Sequence, residues 1–217
     1  MNQDQIKQLN EAVEAVKTRK IENVYFVACG GSKAIFDPAQ FIFDRETTLP
    51  SFVYNANEFI HRCPKGLGEN SLVVTCSHSG NTLETTRATQ LAGDKGALTI
   101  SFSYRVDSPL WKATQHPISY VWGPESNPGD NNNGMLYRLV FSILNVLQPN
   151  EKYERAIKAC DNLGKVYEAN KAKFAESAKA FGKKYKNNKL IYTMSSGPCY
   201  GVAYSFAICL LQEMQWI

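Results

Sequence analysis

Ser71-Leu-Val-Val-Thr-Cys-Ser-His-Ser-Gly-Asn-Thr-Leu-Glu-Thr85 decides the fold. A run of β-favouring residues, Leu72 to Thr75, breaks into the hydroxyl-rich Ser77-His78-Ser79-Gly80-Asn81-Thr82. It resumes as an amphipathic helix carrying Leu83, Ala88, Leu91 and Ala92. The unpaired N–H groups of a helix's first turn, with the positive end of its dipole, favour an anion. Three hydroxyls and Gly80, which lets backbone come close, would cradle a phosphate without any formal positive charge. The plainer alternative is that Ser79 or Thr82 caps the helix. Capping needs one hydroxyl, whereas this loop offers three and an Asn, which favours an anion site.

The same alternation extends in both directions. Ile6, Leu9, Val13 and Val16 form one stripe of an N-terminal amphipathic helix. Asn23 to Ala28 is apolar at strand length, as for a strand buried on both faces of a parallel sheet, and Gly30-Gly31-Ser32 turns it into a helix expected to run to about Asp44. Further strands are expected at Leu49 to Tyr54, Ala97 to Phe102 and Ile118 to Trp122, with a short helix from Glu58 to His61. The whole predicts an α/β fold, a five-stranded parallel sheet flanked by helices in three layers. In such sheets ligands sit at the carboxyl ends of the strands, where both polar loops fall.

Beyond the loop 123–134, Met135 to Leu147 is apolar apart from Arg138, Ser142 and Asn145 and reads as a buried helix. The Lys-rich stretch from Pro149 to Asn188 reads as a helical connector whose lysines form a solvated face. Leu190 to Met194 is expected to restart a strand, followed by the turn Ser195-Ser196-Gly197 and a helix from Tyr200 to Ile217. One strand and one helix cannot bury their own faces, so this piece must pack on the first domain or on a neighbouring chain.

The 217 residues are 44% hydrophobic and 20% charged, with a net charge of +4, an ordinary globular balance that gives nucleic acid no basic face to bind. No run of eighteen apolar residues suggests a membrane span, and residues 1–20 do not read as a signal peptide, so a cytoplasmic location is expected. Cys29, Cys63, Cys76, Cys160, Cys199 and Cys209 are scattered without metal-ligand spacing. Neither G-x-G-x-x-G nor G-x-x-x-x-G-K-[ST] occurs, which counts against a nucleotide cofactor. No metal and no organic cofactor is expected.

Ser77-x-Ser79-Gly80-x-Thr82 after a hydrophobic strand resembles the phosphosugar-binding signature of the SIS (sugar isomerase) domain family. Ala28-Cys-Gly-Gly-Ser-Lys33 resembles that family's first βα turn, and Tyr192-Thr-Met-Ser-Ser-Gly197 resembles the opening of a second SIS domain. Within the family, Tyr25-Phe-Val-Ala-Cys-Gly-Gly-Ser32, Ser77-His-Ser-Gly-Asn-Thr82 and Glu213-Met-Gln-Trp-Ile217 are most similar to deglycases of 6-phosphorylated fructosamines, such as fructose-aspartate 6-phosphate. The likeness divides the chain into a phosphosugar-binding SIS domain (1–148), a connector (149–188) and the first strand and helix of a second, truncated SIS domain (189–217).

The resemblance implies a reaction that releases glucose 6-phosphate and a free amine through enolamine and imine intermediates. It makes Glu213 the general base, and the apolar sequence around it suggests a buried carboxylate suited to proton transfer. Without the likeness, Glu213 would read as a solvated helix residue. The resemblance implies sugar or phosphate contacts from Gly30, Gly31, Ser32, Ser77, His78, Ser79, Gly80, Asn81, Thr82, Ser195, Ser196 and Gly197. His78 reads equally well as a phosphate-loop ligand or a loop-structural residue, while His61 and His116 read as ordinary packing or surface groups. Related enzymes also use a His beyond the Glu helix for ring opening, and no such residue follows Glu213 here. The alternatives are an aldose–ketose isomerase of amino sugar phosphates, which would release no amine, and a non-catalytic phosphosugar-binding module. Apolar segments at Met135 to Leu147 and Ala203 to Ile217 predict a homo-oligomer, a dimer, with a small-molecule sugar phosphate as ligand.

Overall fold

A computed structural model describes residues 1–124 and 126–216. Five parallel strands, β1 (Asn23–Ala28), β2 (Ser51–Asn55), β3 (Ser71–Cys76), β4 (Leu98–Ser103) and β5 (His116–Ser119), pair in the order β2-β1-β3-β4-β5. The order reverses between β1 and β3, so the loops leaving these two strands diverge and open a crevice. Ala28 lies opposite Cys76 in the register. The turn at Gly30 and the loop at Ser77 therefore leave the sheet at the same height.

The central strands are apolar on both faces because helices cover both. On one side Val24, Phe26, Leu72, Val74, Ile100 and Phe102 pack against α1 (Gln3–Lys17), α3 (Phe36–Glu46) and α7 (Asn132–Leu147). On the other, Tyr25, Val27 and Val73 meet α4 (Ala56–Arg62) and α5 (Leu83–Asp94). Phe26 anchors the larger core, its ring centroid 5.3 Å from Phe36 and 5.7 Å from Phe43. Each such fully buried ring contributes about 1.5–3 kcal/mol. Arg138 is buried within α7, where its guanidinium pairs with Asp161 at 2.8 Å and donates to the Gly129 carbonyl at 3.4 Å.

Several boundaries differ from the sequence reading. The helix after Gly30 is two pieces, α2 (Gly30–Ala34) and α3. Pro38 lacks an N–H and is accommodated only in a first turn, so a new helix starts at Phe36. β5 stops at Ser119 because its partner β4 stops at Ser103, directly opposite; Tyr120 to Trp122 leave the sheet. A short helix, α6 (Pro109–Ala113), precedes it.

The connector is α8 (Glu151–Ala159), a 3-10 turn (Cys160–Asn162) and α9 (Leu163–Tyr185), which buries no residue. Leu190 to Met194 is not a strand: its backbone enters no ladder, there being no further strand beside it among the described residues. A 3-10 turn (Gly197–Cys199) then leads into α10 (Tyr200–Ser205), continued as a π-helix (Phe206–Met214). Ile217, expected to end this helix, lies outside the described residues. α10 folds back on α3 so closely that a Cβ on Gly201 would sit 2.6 Å from Asp37 Cβ.

Candidate functional site

The loop after β3 is held by its own hydroxyls. Ser77 Oγ and Thr82 Oγ1 hydrogen-bond at 2.9 Å, the Gly80 N–H donates to Ser77 Oγ at 3.1 Å, and the Asn81 N–H donates to Ser79 Oγ at 3.2 Å. Thr82 occupies the N-cap position of α5, yet its side chain makes no capping bond. The capping alternative therefore fails for Thr82, and no side chain caps the first turn of α5. Gly80 has a φ of +66°, and a Cβ there would lie 2.0 Å from Ser108 Oγ. Only glycine fits that approach.

The first βα turn lies across the crevice. Gly30 takes a φ of +52°, and the Ser32 hydroxyl reaches the Cys76 thiol, whose pKa burial pushes up to about 12, with Ser32 opposing the shift. A Cβ on Gly31 would meet Cys209 Sγ at 3.1 Å, so the glycine lets the π-helix come down onto the turn. Lys33 pairs with Asp37 at 3.9 Å and stands 5.6 Å over the Tyr204 ring, fastening α10 to the same edge.

Between these pieces lies a cleft of about 770 Å³. Its walls include Gly31, Ser32 and His78 from the strand ends, Asn132, Asn133 and Tyr137 from α7, and Ser205, Cys209 and Glu213 from the final helix. Four residues singled out in the sequence, Gly31, Ser32, His78 and Glu213, thus share one cavity. Ser77, Ser79, Gly80, Asn81 and Thr82 belong to the same loop as His78 but are not among the residues that line the cleft, and Ser77 and Gly80 are buried. Gly30 is exposed and borders the cleft without lining it, and Ser195 and Ser196 are exposed and line no part of it. Gly197 borders a separate hollow of about 310 Å³ with Asp37, Gln40 and Phe41.

Glu213 is solvent-exposed, so the buried surroundings expected from its apolar neighbours are not present. In a helix whose outer face packs on nothing, apolar neighbours in sequence are not neighbours in space.

The sequence reading missed what surrounds His78. The imidazole stacks on Tyr104, centroids 5.3 Å apart and planes 5° from parallel, and meets the edge of Trp122 at 5.1 Å. Its Nδ1 is 2.9 Å from the Tyr120 hydroxyl. Partial burial lowers the His78 pKa, with the nearby Arg105 adding to the effect, while burial raises that of Tyr120. The one available signal was aromatic clustering, with Tyr104, Tyr120 and Trp122 at the ends of β4 and β5. Among the described residues no three His, Cys, Asp or Glu side chains gather as a metal site, and no helix is long and apolar enough to cross a membrane.

A doubly wound parallel sheet with a hydroxyl loop and a glycine turn flanking its switch point places the chain in the class of α/β domains that bind ligands at the strand ends. The chain belongs to the SIS domain family, which it matches over residues 17–147. It is 48% identical to the fructosamine deglycase FrlB of Bacillus subtilis over 97% of its own length and 65% of the relative's. It is 28% identical to the fructoselysine 6-phosphate deglycase of Escherichia coli over 94% of its length and 59% of the relative's. The chain thus spans about two thirds or less of these curated relatives. A crystal structure from Bacillus subtilis, provisionally assigned as a phosphosugar isomerase, superposes with a TM-score of 0.94 at 48% identity, covering 97% of this chain and 65% of that one. One from Salmonella typhimurium, with the same provisional assignment, gives 0.94 at 33% identity over 100% and 66%.

Proposed function

We propose that the protein is a deglycase that cleaves a 6-phosphorylated fructosamine to glucose 6-phosphate and a free amine or amino acid. The observation that carries this reading is the cleft in which Glu213 faces Gly31, Ser32 and His78 beside the hydroxyl loop. The names of the similar deglycases support the substrate class.

In this reading Ser77, Ser79, Thr82 and the free N–H groups of α5 hold the phosphate, and Gly31 and Ser32 face the sugar. The open-chain substrate carries an amine on C1 and a carbonyl at C2. Glu213 removes a C1 proton, the C1–C2 double bond forms, and the C2 oxygen takes a proton to give the enolamine. Return of a proton to C2 moves the double bond to C1–N as an imine. Water adds at C1, the C–N bond breaks, and the amine leaves with a proton. A phosphate anchored away from the reacting carbons lets binding energy position C1 for these transfers. The exposure of Glu213 leaves water access to C1, which the last step needs.

The division into an SIS domain (1–148), a connector (149–188) and the opening of a second SIS unit (189–217) belongs to the same proposal. Gly197, at φ +58°, repeats the backbone of Gly30 at +52°. A homodimer is proposed because Val202, Phe206 and Met214 on the last helical stretch, and Trp216 just past it, are exposed. A cytoplasmic location is proposed because a charged sugar phosphate does not cross membranes unaided.

The test is a coupled assay for glucose 6-phosphate release from fructose-aspartate and fructose-lysine 6-phosphates, on the protein and on Glu213→Gln. Release by the parent and none by the variant is expected. Release by both removes Glu213 from the mechanism, and conversion of the substrate to an isomer that keeps its nitrogen, with neither glucose 6-phosphate nor free amine released, points to isomerisation instead.

A further inference from the structure

His78 is the one imidazole among the described residues that line the cleft, and its surroundings fix how it is protonated. Tyr120 is only 3% exposed, and among the described residues its hydroxyl has a single hydrogen-bond partner, His78 Nδ1. A buried hydroxyl proton left without an acceptor has lost its water partner and gained nothing in return, which is unfavourable. Were Nδ1 to carry the ring proton and donate it, the tyrosine proton would have nowhere to go. The arrangement that satisfies both groups has Tyr120 donating to a bare Nδ1, which puts the single proton of neutral imidazole on Nε2.

The ring is also held in place. Tyr104 stacks on its face, Trp122 closes one edge, and the His78 carbonyl accepts from the Tyr104 N–H at 3.1 Å. His78 is nevertheless exposed and lines the cleft that Glu213 lines from the final helix. With Nδ1 turned into the buried Tyr120, the edge left for the cleft is that of Nε2.

We propose, resting on the deglycase reading, that His78 is a catalytic residue presenting a tautomer-locked Nε2–H to the C2 oxygen of the substrate, with Tyr120 as its positioning residue. As Glu213 withdraws the C1 proton, negative charge grows on the C2 oxygen. A neutral, fixed N–H donor stabilises that charge without first having to shed or gain a proton. The burial and the Arg105 charge that disfavour imidazolium keep the ring neutral near pH 7. The base and the donor then stand on opposite walls, each doing one half of the enolisation.

Two measurements test this. In ¹⁵N-detected NMR of histidine-labelled protein, His78 Nδ1 is expected to read as the bare, pyridine-like nitrogen and Nε2 as the protonated one, with Tyr120→Phe mixing the two. A protonated Nδ1 in the parent overturns the proposal. In the glucose 6-phosphate release assay, His78→Phe keeps a ring for Tyr104 to stack on but removes the donor. It should lower kcat by about 10²–10³-fold, the range for loss of one oxyanion donor, with KM little changed. His78→Gln, which restores an N–H at similar reach, should recover part of that loss and covers the case in which the Phe variant does not fold. A kcat within a few-fold of the parent in a folded His78→Phe overturns the proposal while leaving the deglycase reading intact. No release by the parent itself overturns the deglycase reading, and the catalytic role with it, whatever the NMR shows of the tautomer.

Discussion

Replacing Gly80 by alanine probes the loop proposed to hold the phosphate. The added methyl would lie 2.0 Å from Ser108 Oγ, 2.3 Å from Ser108 Cβ and 2.8 Å from Ser103 Oγ, all below any real contact distance. Ser108 cannot simply rotate away. Its hydroxyl donates to the Arg105 carbonyl at 3.0 Å and accepts from the Trp111 N–H at 3.3 Å as the cap of α6. The Gly80 carbonyl in turn accepts from the Leu110 N–H at 3.0 Å, so loop and helix shift together. Three costs add: about 1–2 kcal/mol for a side chain in the left-handed region, about 1–3 for overpacking, and about 0.5–2 for the disturbed cap. The sum is centred at about 5 kcal/mol, and at about 2–4 °C per kcal/mol in a chain of this size the midpoint falls by about 10–20 °C.

Gly30→Ala is the matched control. Its φ is +52°, but nothing lies within 4 Å of the position a Cβ would take. Only the backbone cost of about 1–2 kcal/mol applies, a fall of about 2–8 °C. Thermal unfolding followed by circular dichroism, with chemical denaturation for the free energy, measures both. If Gly80→Ala loses no more than Gly30→Ala, the close packing of the loop 77–82 on α6 is wrong, and with it the reason a glycine stands in the loop.

Other perturbations separate binding from chemistry. Ser77→Ala removes the bonds to Thr82 Oγ1 and the Gly80 N–H; at about 1–1.5 kcal/mol for the phosphate contact and loop order together, glucose 6-phosphate should bind roughly tenfold more weakly by calorimetry. Unchanged affinity would count against the loop as the phosphate site. Glu213→Gln should change stability by less than about 0.5 kcal/mol, since the side chain is exposed, so a large drop in its unfolding midpoint would contradict the exposed placement. His116, in β5, has its pKa lowered from 6.5 by burial, with Arg19 adding to the shift and Glu11 opposing it. The unfolded chain therefore takes up the proton first as pH falls, so this contribution to stability is complete above about 6.5 and is lost as pH drops below it. Midpoints measured on either side of that value should fall less on acidification in His116→Gln than in the parent; an equal fall assigns the acid sensitivity elsewhere.

Which features were legible follows from how far apart their causes lie in the chain. β3 and the loop after it could be read because strand, turn and helix are contiguous, and each residue's preference concerns its neighbours. β5 ends three residues before the expected Trp122 because its end is set by Ser103 of β4 through the pairing with Ser119, sixteen positions away. Leu190 to Met194 has strand-forming residues but no ladder, since composition supplies propensity and a ladder needs a partner. The apolar run around Glu213 predicts burial, yet the helix presents Phe206 and Met214 to solvent. The clamp on His78 was illegible for the same reason: Tyr120, 42 positions on, reaches it only because the chain leaves the sheet after Ser119.

The two walls of the cleft accordingly differ in physical character. The strand-end wall rests on fully buried β3 and β4, with Thr75 Oγ1 2.7 Å from Ser101 Oγ and 3.0 Å from Thr89 Oγ1 tying the strands to α5. The phosphate proposed to bind there would meet groups whose positions are set before it arrives, which limits the ordering cost of binding. The opposite wall is a helix with no buried residue beyond Gly201, attached through that glycine, the Gly31–Cys209 contact and Lys33. Few buried contacts mean a low free energy of local opening. Amide hydrogen exchange should therefore find residues 200–214 far less protected than β3 and β4, with added glucose 6-phosphate slowing exchange in the loop 77–82 first. Equal protection of both walls would mean that the final helix is held by more than these three attachments.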